Sequence, residues 1–280
     1  MSSPNLKAVL FDIGGVVVQS PLLAIQDYEF EHGIPHNYIN CSITARGSQG
    51  AWQKFERGQI PLLPFYEQFS QELSDVDNGN KWYAEYCERK NIACPELPQK
   101  LHIDGRELFG RMMRTSQKVD KCVYEAILRI RAERRWRLIA LTNNYSRVDT
   151  TFLDLNGRHS EQYPSVTLES ELKFLGWEGG AVPSYIRESF DDFIDSSEVG
   201  MRKPEHRFYL LACKRNHIQA HEAVFLDDLG INLKAARELG METIHVPIGG
   251  AVTALKTLGH KLGINLTEGL ETEALLPSKL

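Results

Sequence analysis

The sequence of 280 residues lacks the features of a secreted, membrane-spanning or nucleic-acid-binding protein. Its five cysteines form neither a CxxC pair nor a cysteine–histidine metal spacing, and an odd cysteine count without a leader segment predicts a reducing, cytoplasmic setting. No charged region followed by a long apolar stretch opens the chain, and no apolar run is long enough to cross a bilayer. The net charge of −5 indicates no nucleic-acid partner.

The first strand is predicted at residues 8–11, and it ends at a single carboxylate. The run Ala-Val-Leu-Phe is short and continuously apolar, which is typical of a strand buried on both faces of a parallel sheet. Asp12 follows directly, and Gly14 and Gly15 then allow a sharp turn. Because ligands bind at the carboxyl ends of strands in open α/β sheets, Asp12 is either a simple polar cap or a carboxylate at the mouth of a site.

The rest of the chain divides into a helical block and an α/β block. Residues 21–117 show amphipathic helical spacing, with aromatic residues typical of a packed core and no convincing strand. From about residue 120, strand–helix alternation predicts a parallel sheet. Further strands are predicted at 137–141, 192–194, 223–226 and 242–246. We therefore predict an α/β core of residues 1–17 and 118–280, with a helical subdomain of residues 18–117 inserted into it. The stretch 156–185 is predicted to be a surface excursion.

Polar clusters lie at or just after the ends of four predicted strands. They are Asp12, Thr142 with Asn143, Lys203, and Asp227 with Asp228. If the strands are parallel, all four clusters meet at one edge of the sheet. A carboxylate there can act as a nucleophile, while a hydroxyl, backbone amides and a lysine can hold the oxygens of a transferring phosphoryl group. Two or three carboxylates with a backbone carbonyl suit Mg²⁺.

The order of these clusters resembles the four motifs of the haloacid dehalogenase (HAD) superfamily. One branch is most similar: it contains the N-terminal phosphatase domain of soluble epoxide hydrolases and the phosphatase-like domain fused to some acyl-CoA dehydrogenases. The stretch 47–58 also resembles the cap of that branch. The runs that carry the resemblance are Phe-Asp-Ile-Gly-Gly-Val at 11–16, Leu-Thr-Asn at 141–143, Gly-Met-Arg-Lys-Pro at 200–204 and the long run at 225–237.

The resemblance implies an α/β fold, with a Rossmann-like (HAD) parallel-sheet core and an inserted helical cap. It implies a Mg²⁺-dependent phosphohydrolase that acts on a small phosphate ester or diphosphate through an aspartyl-phosphate. Asp12 would be the nucleophile, and Lys203 would neutralise the phosphate and orient Asp12. Thr142 and Asn143 would bind the phosphate.

The resemblance also implies a metal site and a state of assembly. Mg²⁺ would be held by Asp12, the carbonyl of Gly14 and Asp228, with Asp227 supporting the site from beside it. Asn232 lies where many relatives have a further acidic residue. The expected partners are a small phosphorylated substrate and a second copy of the chain, with no membrane and no nucleic acid.

One departure from the family pattern concerns acid–base chemistry. Phosphatases of this superfamily usually carry a second Asp two residues after the nucleophile, which protonates the leaving oxygen and then activates water. Gly14 occupies that position and has no side chain. General acid–base help is typically worth about 10²–10⁴-fold, so we expect slow hydrolysis of ordinary alkyl phosphates.

Two alternatives to a phosphohydrolase stay open. The first is a weakly active or non-catalytic relative that binds a phosphorylated ligand, which the glycine at position 14 favours. The second is a dehalogenase-type hydrolase, since those enzymes also lack the second Asp; they need no metal, however, and the Asp227–Asp228 pair argues against it.

Substrate contacts are expected in the cap, because specificity in such caps resides in loops that close over the site. The candidates are Arg46, Gln49 and Trp52. A separate run, Asp-Asp-Phe-Ile-Asp at 191–195, matches the DDxxD metal motif of class I terpene synthases. It overlaps a predicted strand, whereas that motif needs a long helix, so we predict that it holds no metal.

Overall fold

The computed structural model describes residues 6–145 and 163–269. Within them lies one five-stranded sheet with the strand order β3-β2-β1-β4-β5, and every neighbouring pair is parallel. The predicted α/β fold with a Rossmann-like parallel core is therefore confirmed. The strands are β1 (Ala8–Phe11), β2 (Arg137–Thr142), β3 (Asp192–Asp195), β4 (Ala223–Asp227) and β5 (Glu242–His245).

Residues 18–117, all of which the structure describes, fold as helices. Their only strand-like pairing is at Val18, which bridges Gly14 and Val119. We therefore propose residues 18–117 as an inserted cap. The helices are α1 (Leu22–Glu31), α2 (Tyr38–Ala45), α3 (Ala51–Glu56), α4 (Leu62–Leu73), α5 (Val76–Lys90) and α6 (Gly105–Thr115).

Helices cover both faces of the sheet because both faces of its central strand are apolar. Val9 and Phe11 of β1 join one buried cluster, and Ala8 and Leu10 join another on the opposite face. Helices α7 and α13 contribute to the first cluster, and α11 and α12 to the second. The remaining helices are α7 (Lys121–Glu133), α8 (Leu168–Leu175), α9 (Ser184–Arg187), α10 (Ser196–Val199), α11 (His206–Arg215), α12 (Gly230–Glu238) and α13 (Ala251–Leu262).

The described part of the predicted surface excursion, residues 163–185, is not a surface segment throughout. Leu175 and Trp177 are almost fully buried, and they belong to the same hydrophobic cluster as the cap helices. Glu171 of α8 is fully buried, where Arg106 Nη2 lies 2.8 Å from Oε2 and Tyr66 donates a hydrogen bond of 2.8 Å to Oε1. The chain between β2 and β3 thus packs on the cap. Residues 156–162 lie outside the described residues.

The acidic run at 191–195 lies largely on β3 rather than on a long helix, as predicted. Asp192 Oδ1 pairs with Arg215 at 2.6 Å, and Asp191 Oδ2 accepts the N–H of Leu138 at 2.8 Å. These carboxylates are used for structural contacts. None of the helices in the described ranges combines the length and the apolar character needed to cross a membrane.

Candidate active site

The carboxyl ends of three neighbouring strands meet at one edge of the sheet. Asp12 follows β1, Thr142 ends β2 and Asp227 ends β4. Strands β2 and β4 both pair with β1 in parallel register, and the N–H of Asp12 donates to the carbonyl of Leu226 at 2.9 Å. The topology therefore brings together residues that are up to 215 positions apart in the chain (12 to 227).

A buried lysine joins two of these carboxylates. Lys203 Nζ lies 2.7 Å from Asp12 Oδ2 and 2.8 Å from Asp227 Oδ2, and only 1% of the lysine is exposed. Burial lowers the pKa of Lys203, but the charges of Asp12 and Asp227 outweigh that effect and raise it above its usual value. Burial raises the pKa of Asp12 well above its usual range, although Lys203 opposes the shift. The lysine is therefore a permanent cation in this site.

With a third carboxylate, the site carries more negative than positive formal charge. Asp12, Asp227 and Asp228 each place one oxygen within 4.8 Å of the others. Three carboxylates and one lysine carry a formal charge of −3 + 1 = −2. Burial, with the nearby charge of Asp227, raises the pKa of Asp228 to about 6. A cluster of buried oxygen ligands with excess negative charge matches the preference of a hard divalent cation.

The two neighbouring aspartates differ in how many protein donors they already accept. Both oxygens of Asp227 accept the side-chain N–H₂ of Asn232, at 3.0 and 3.1 Å, and Oδ1 also accepts the N–H of Leu229. Within 6–145 and 163–269, Asp228 accepts one side-chain donor, the hydroxyl of Ser20, at 3.2 Å. Asp12 and Asp228 thus keep free lone pairs for a metal ion, whereas Asp227 holds Lys203 from the side. Asn232 is neutral, and its side-chain N–H₂ donates to Asp227 and so helps to hold that carboxylate beside Lys203.

The side chain of Asn143 holds the segment that carries Lys203. Its Nδ2 donates to the carbonyl of Lys203 at 3.1 Å, and its Oδ1 accepts the N–H of Lys203 at 2.8 Å. Thr142 is buried, and among the described residues its hydroxyl has a marginal contact of 3.5 Å, to the Asn143 carbonyl, which leaves it able to turn to a ligand.

The two glycines after Asp12 have different roles. Gly15 has a φ of +81°, and a Cβ on it would overlap the carboxylate of Asp228, so a glycine is required there. Gly14 has no such restriction, because its φ lies outside the left-handed region and an added Cβ would meet only Pro21 Cδ, at 3.7 Å. The missing side chain at position 14 is therefore not forced by the backbone.

A cavity of about 630 Å³ lies between the cap helices and this edge of the sheet. Apolar side chains of the cap share its lining with the polar cluster, among them Ile25, Ile43, Met112 and Met113. The predicted site residues that line it are Asp12, Gly14, Trp52, Thr142, Asn143, Lys203 and Asp228.

Two predicted substrate contacts fall elsewhere. Among the described residues, the cavity lining includes neither Arg46 nor Gln49. Arg46 Nη2 instead donates to the carbonyl of Glu72 at 2.7 Å and to Asp75 Oδ2 at 3.0 Å, so it ties cap elements to each other. Gln49 lies in a short 3-10 turn of the cap.

Contacts between cap and core surround the cavity. Glu56 at the end of α3 pairs with Arg202, and Arg57 Nη1 lies 3.4 Å from Glu205 Oε1. The hydroxyl of Ser196 bonds to the Glu56 carbonyl at 2.5 Å. These ionic and hydroxyl contacts bind the end of α3 to the segment that carries Lys203.

Sequence reasoning missed two aromatic residues of the lining, Tyr145 and Trp177. Tyr145 follows the Thr142–Asn143 cluster by two residues and could have been found from that position. Trp177 lies far from every motif in the chain, so no local pattern indicated it. Burial raises the pKa of Tyr145 well above its usual value, with the charge of Glu56 adding to the shift, so its hydroxyl stays protonated.

The family of this chain follows from its sequence. A model of the haloacid dehalogenase-like hydrolase family matches residues 6–240. The chain belongs to that family of hydrolases.

Individual relatives cover nearly the whole chain. It is 30% identical over 269 residues to acyl-CoA dehydrogenase family member 10 of Mus musculus, which covers 95% of this chain and 20% of that protein. It is 27% identical over 277 residues to bifunctional epoxide hydrolase 2 of Sus scrofa, which covers 98% of this chain and 41% of that protein. The chain thus spans less than half the length of these curated relatives.

Among solved structures, a HAD family enzyme of Bacteroides thetaiotaomicron, in complex with magnesium and inorganic phosphate, has a TM-score of 0.46 and 16% sequence identity. The similarity covers 86% of this chain and 93% of that one.

Proposed function

We propose that this protein is a Mg²⁺-dependent phosphohydrolase that acts on a small phosphate ester or diphosphate. One observation carries the proposal: the buried Lys203 ammonium lies within hydrogen-bond distance of both Asp12 and Asp227, beside Asp228 and on the wall of a large cavity. A carboxylate nucleophile, a permanent cation and an oxygen-ligand cluster are the parts that phosphoryl transfer requires. Membership of a hydrolase family supports the same conclusion.

Asp12 would attack the phosphorus and form an aspartyl-phosphate, while the bond to the leaving oxygen breaks. Its Oδ1 accepts the N–H of Ile13 at 2.7 Å and its Oδ2 faces Lys203, so the carboxylate is fixed in one orientation before substrate binds. Lys203 and the hydroxyl of Thr142 would hold the phosphoryl oxygens and stabilise the charge that develops on them. Water would then release the phosphate from Asp12.

The residues present fit a magnesium ion. Asp12, Asp228 and the carbonyl of Gly14 would hold it, and the formal charge of −2 in the buried cluster supports a divalent occupant. When bound, Mg²⁺ neutralises phosphate charge and orients the phosphoryl group. Asp227 and Asn232 would keep Lys203 in place, because these three side chains share one hydrogen-bond network.

The leaving group determines how fast such a site works, because no side chain at position 14 can protonate it. Alkoxides leave poorly without a proton, whereas aryl oxides and phosphates leave as weaker bases. The absent acid also keeps a second candidate open, a weakly active protein that binds a phosphorylated ligand. The dehalogenase alternative is disfavoured, since it gives no use for the excess negative charge around Asp228.

The test is a panel of phosphate esters and diphosphates, assayed for phosphate release with Mg²⁺ and with a chelator. We expect release only with Mg²⁺, and its loss in Asp12→Asn. Asp191→Asn, which changes a structural carboxylate outside the cavity, is the matched control and should keep activity. Binding of substrates without any release would support the ligand-binding alternative, and metal-independent release would overturn the proposal.

A further inference from the structure

A second pocket lies directly behind the central cavity. This pocket, of about 300 Å³, opens at the surface and is lined by Leu172, Gly180, Ser184 and Arg187 among others. Within the described parts of the chain, four residues line both spaces: Tyr145, Trp177, Ala181 and Val182. We call these four residues the back wall. The central cavity and the surface pocket therefore adjoin each other at these four residues.

Aromatic stacking holds the back wall in place. The rings of Tyr145 and Trp177 are stacked, with centroids 6.2 Å apart and planes 19° from parallel. Both rings meet Phe109 of α6 edge-on, at 5.3 and 6.0 Å, and Tyr145 also stacks on Phe55 of α3 at 4.9 Å. Trp177 and Tyr145 are 2% and 6% exposed. Aromatic pairs in these geometries add stability beyond the area they bury.

The main chain also fixes Trp177. Its N–H donates to the carbonyl of Leu172 at 2.7 Å across the end of α8, where Gly176 has a φ of +74°. Helix α8 is in turn bound to the cap through the buried pair of Glu171 and Arg106. Within the back wall, Tyr145, Trp177 and Ala181 thus pack with the hydrophobic cluster of the cap helices, and Val182 packs with the cluster on the sheet.

The wall lies close to the phosphate end of the site. Tyr145 follows Thr142 by three residues, and three residues of extended chain span at most about 10 Å. A ligand whose phosphate lies at Asp12 and whose organic group fills the apolar lining would therefore reach the back wall after a limited length.

We propose that Trp177 is a specificity-determining residue, which sets the maximum length of the apolar group on the phosphorylated ligand. Removing most of its side chain would join the central cavity to the surface pocket and admit longer groups. The ligand class assumed, an apolar phosphate, rests on the proposed function. The length limit itself is a property of binding, so it can be tested without turnover.

The test measures dissociation constants of straight-chain alkylphosphonates, from butyl to dodecyl, with Mg²⁺ by calorimetry. For the wild type, affinity should improve roughly fourfold for each methylene until the chain meets the back wall, and then fall. In Trp177→Leu the best chain should be longer by several carbons, with at least a tenfold gain for chains above the wild-type limit. Trp177→Phe, which keeps a buried ring, should shift the limit less and guards against poor folding of the leucine variant.

Trp82→Leu is the matched control, because it makes the same substitution in α5 at a residue that does not line the cavity. It should keep the wild-type limit. An unlimited rise of affinity in the wild type, no binding of any alkylphosphonate, or an unshifted limit in folded Trp177 variants would each overturn the proposal.

A parallel assay of alkyl phosphates separates this inference from the proposed function. Phosphonates that bind with a shifted limit, alongside phosphates that are never hydrolysed, would refute the phosphohydrolase and leave the role of Trp177 intact.

Discussion

Gly14 is the position at which we expect the candidate site to lack a general acid. The adjoining Gly15 is required by the close approach of Asp228, but Gly14 has an ordinary backbone conformation and an open side. A carboxyl group can therefore be introduced there without the strain that a positive φ would bring.

Gly14→Asp should raise turnover of alkyl phosphates on the order of 10²-fold, because a carboxyl group at this position can give a proton to the departing alkoxide. The gain on an aryl phosphate should be under about tenfold, since its leaving group needs little proton help. Steady-state rates on both substrates, measured with Mg²⁺ on folded variants, check this.

Gly14→Asn is the control for this experiment, because it adds a side chain of the same size that cannot transfer the proton. It should show no preferential gain on alkyl substrates. Equal rates for all three proteins would mean that another group supplies the proton.

At the scale of single residues, some site residues could be predicted from the sequence and others could not. Asp12, Thr142 and Asp227 could be predicted because each ends an apolar strand, and parallel strands bring their ends together. The use of the Asn143 side chain could not be predicted, since its partner is the backbone of Lys203, 60 residues away. Trp177 was hidden for the same reason: its contacts are made only in the folded chain.

At the scale of elements, helices α1 and α2 of the cap meet through a buried carboxylate. Glu29 on α1 accepts the N–H groups of Asn37 and Ile39, both at 2.7 Å, at the start of α2. Burial raises the pKa of Glu29 to about 7, despite these hydrogen bonds. A folded-state pKa above the unfolded value stabilises the fold at low pH, and this contribution is lost as the pH rises toward about 7.

The melting temperature of the wild type, relative to Glu29→Gln, should therefore fall between about pH 4.5 and pH 7, the range that separates the unfolded and folded pKa values. Thermal unfolding followed by circular dichroism at several pH values measures this difference. Glu31→Gln makes the same substitution on the half-exposed side of the same helix and is the matched control. A constant difference for Glu29→Gln would contradict the assignment.

An ion pair whose carboxylate is fully buried and whose guanidinium is partly exposed holds helix α8 to the cap. Glu171 is fully buried, and Arg106 approaches it with Nε and Nη2 at 2.8–3.1 Å. Arg106→Met would leave the carboxylate buried without its partner, and such a loss costs about 3–5 kcal/mol. Chemical denaturation should show a lower free energy of unfolding by this amount.

The matched control is Arg111→Met, one and a half turns along the same helix, where the ion pairs are exposed. It should cost under about 1 kcal/mol. Adding Glu171→Gln to Arg106→Met should recover part of the loss, because the unpaired charge is then removed. Similar costs for Arg106→Met and Arg111→Met would show that the buried pair does not anchor α8.

The elements themselves were not equally predictable. Strands β1, β2 and β4 are short, largely apolar runs that end at or just before a polar residue, and this pattern located them in the sequence. Strands β3 and β5 carry polar residues at half or more of their positions, so their apolar signal is smaller. Helix α8 is only eight residues long and lies near a stretch rich in glycine and proline. Its apolar residues Leu168, Leu172 and Leu175 form a helix face that packs on the cap, but the cap residues that cover this face are known only from the structure.

At the scale of the whole molecule, a metal ion that binds only the folded chain should stabilise it. At a concentration one hundred times its dissociation constant, Mg²⁺ should raise the free energy of unfolding by about 2.7 kcal/mol. Asp228→Asn should abolish most of this effect, because it removes a carboxylate of the cluster. Differential scanning fluorimetry with Mg²⁺ and with chelator measures the shift.

Asp27→Asn, on the exposed side of α1, is the control and should keep the full shift. Equal shifts in wild type and Asp228→Asn would place the ion elsewhere.

The cap cluster has a further consequence for how the chain is made. Phe65 and Phe109 belong to the helical block that ends at residue 117, yet their cluster is completed by Trp177. A ribosome must add about 60 further residues before that partner exists, which takes roughly 3–12 seconds at the usual rate of synthesis. Strand β1 is synthesised before the other four strands, and both of its edges can be paired only after β4 has been synthesised. During this interval the nascent chain exposes aromatic surface. We therefore expect chaperones that recognise emerging polypeptides to bind it.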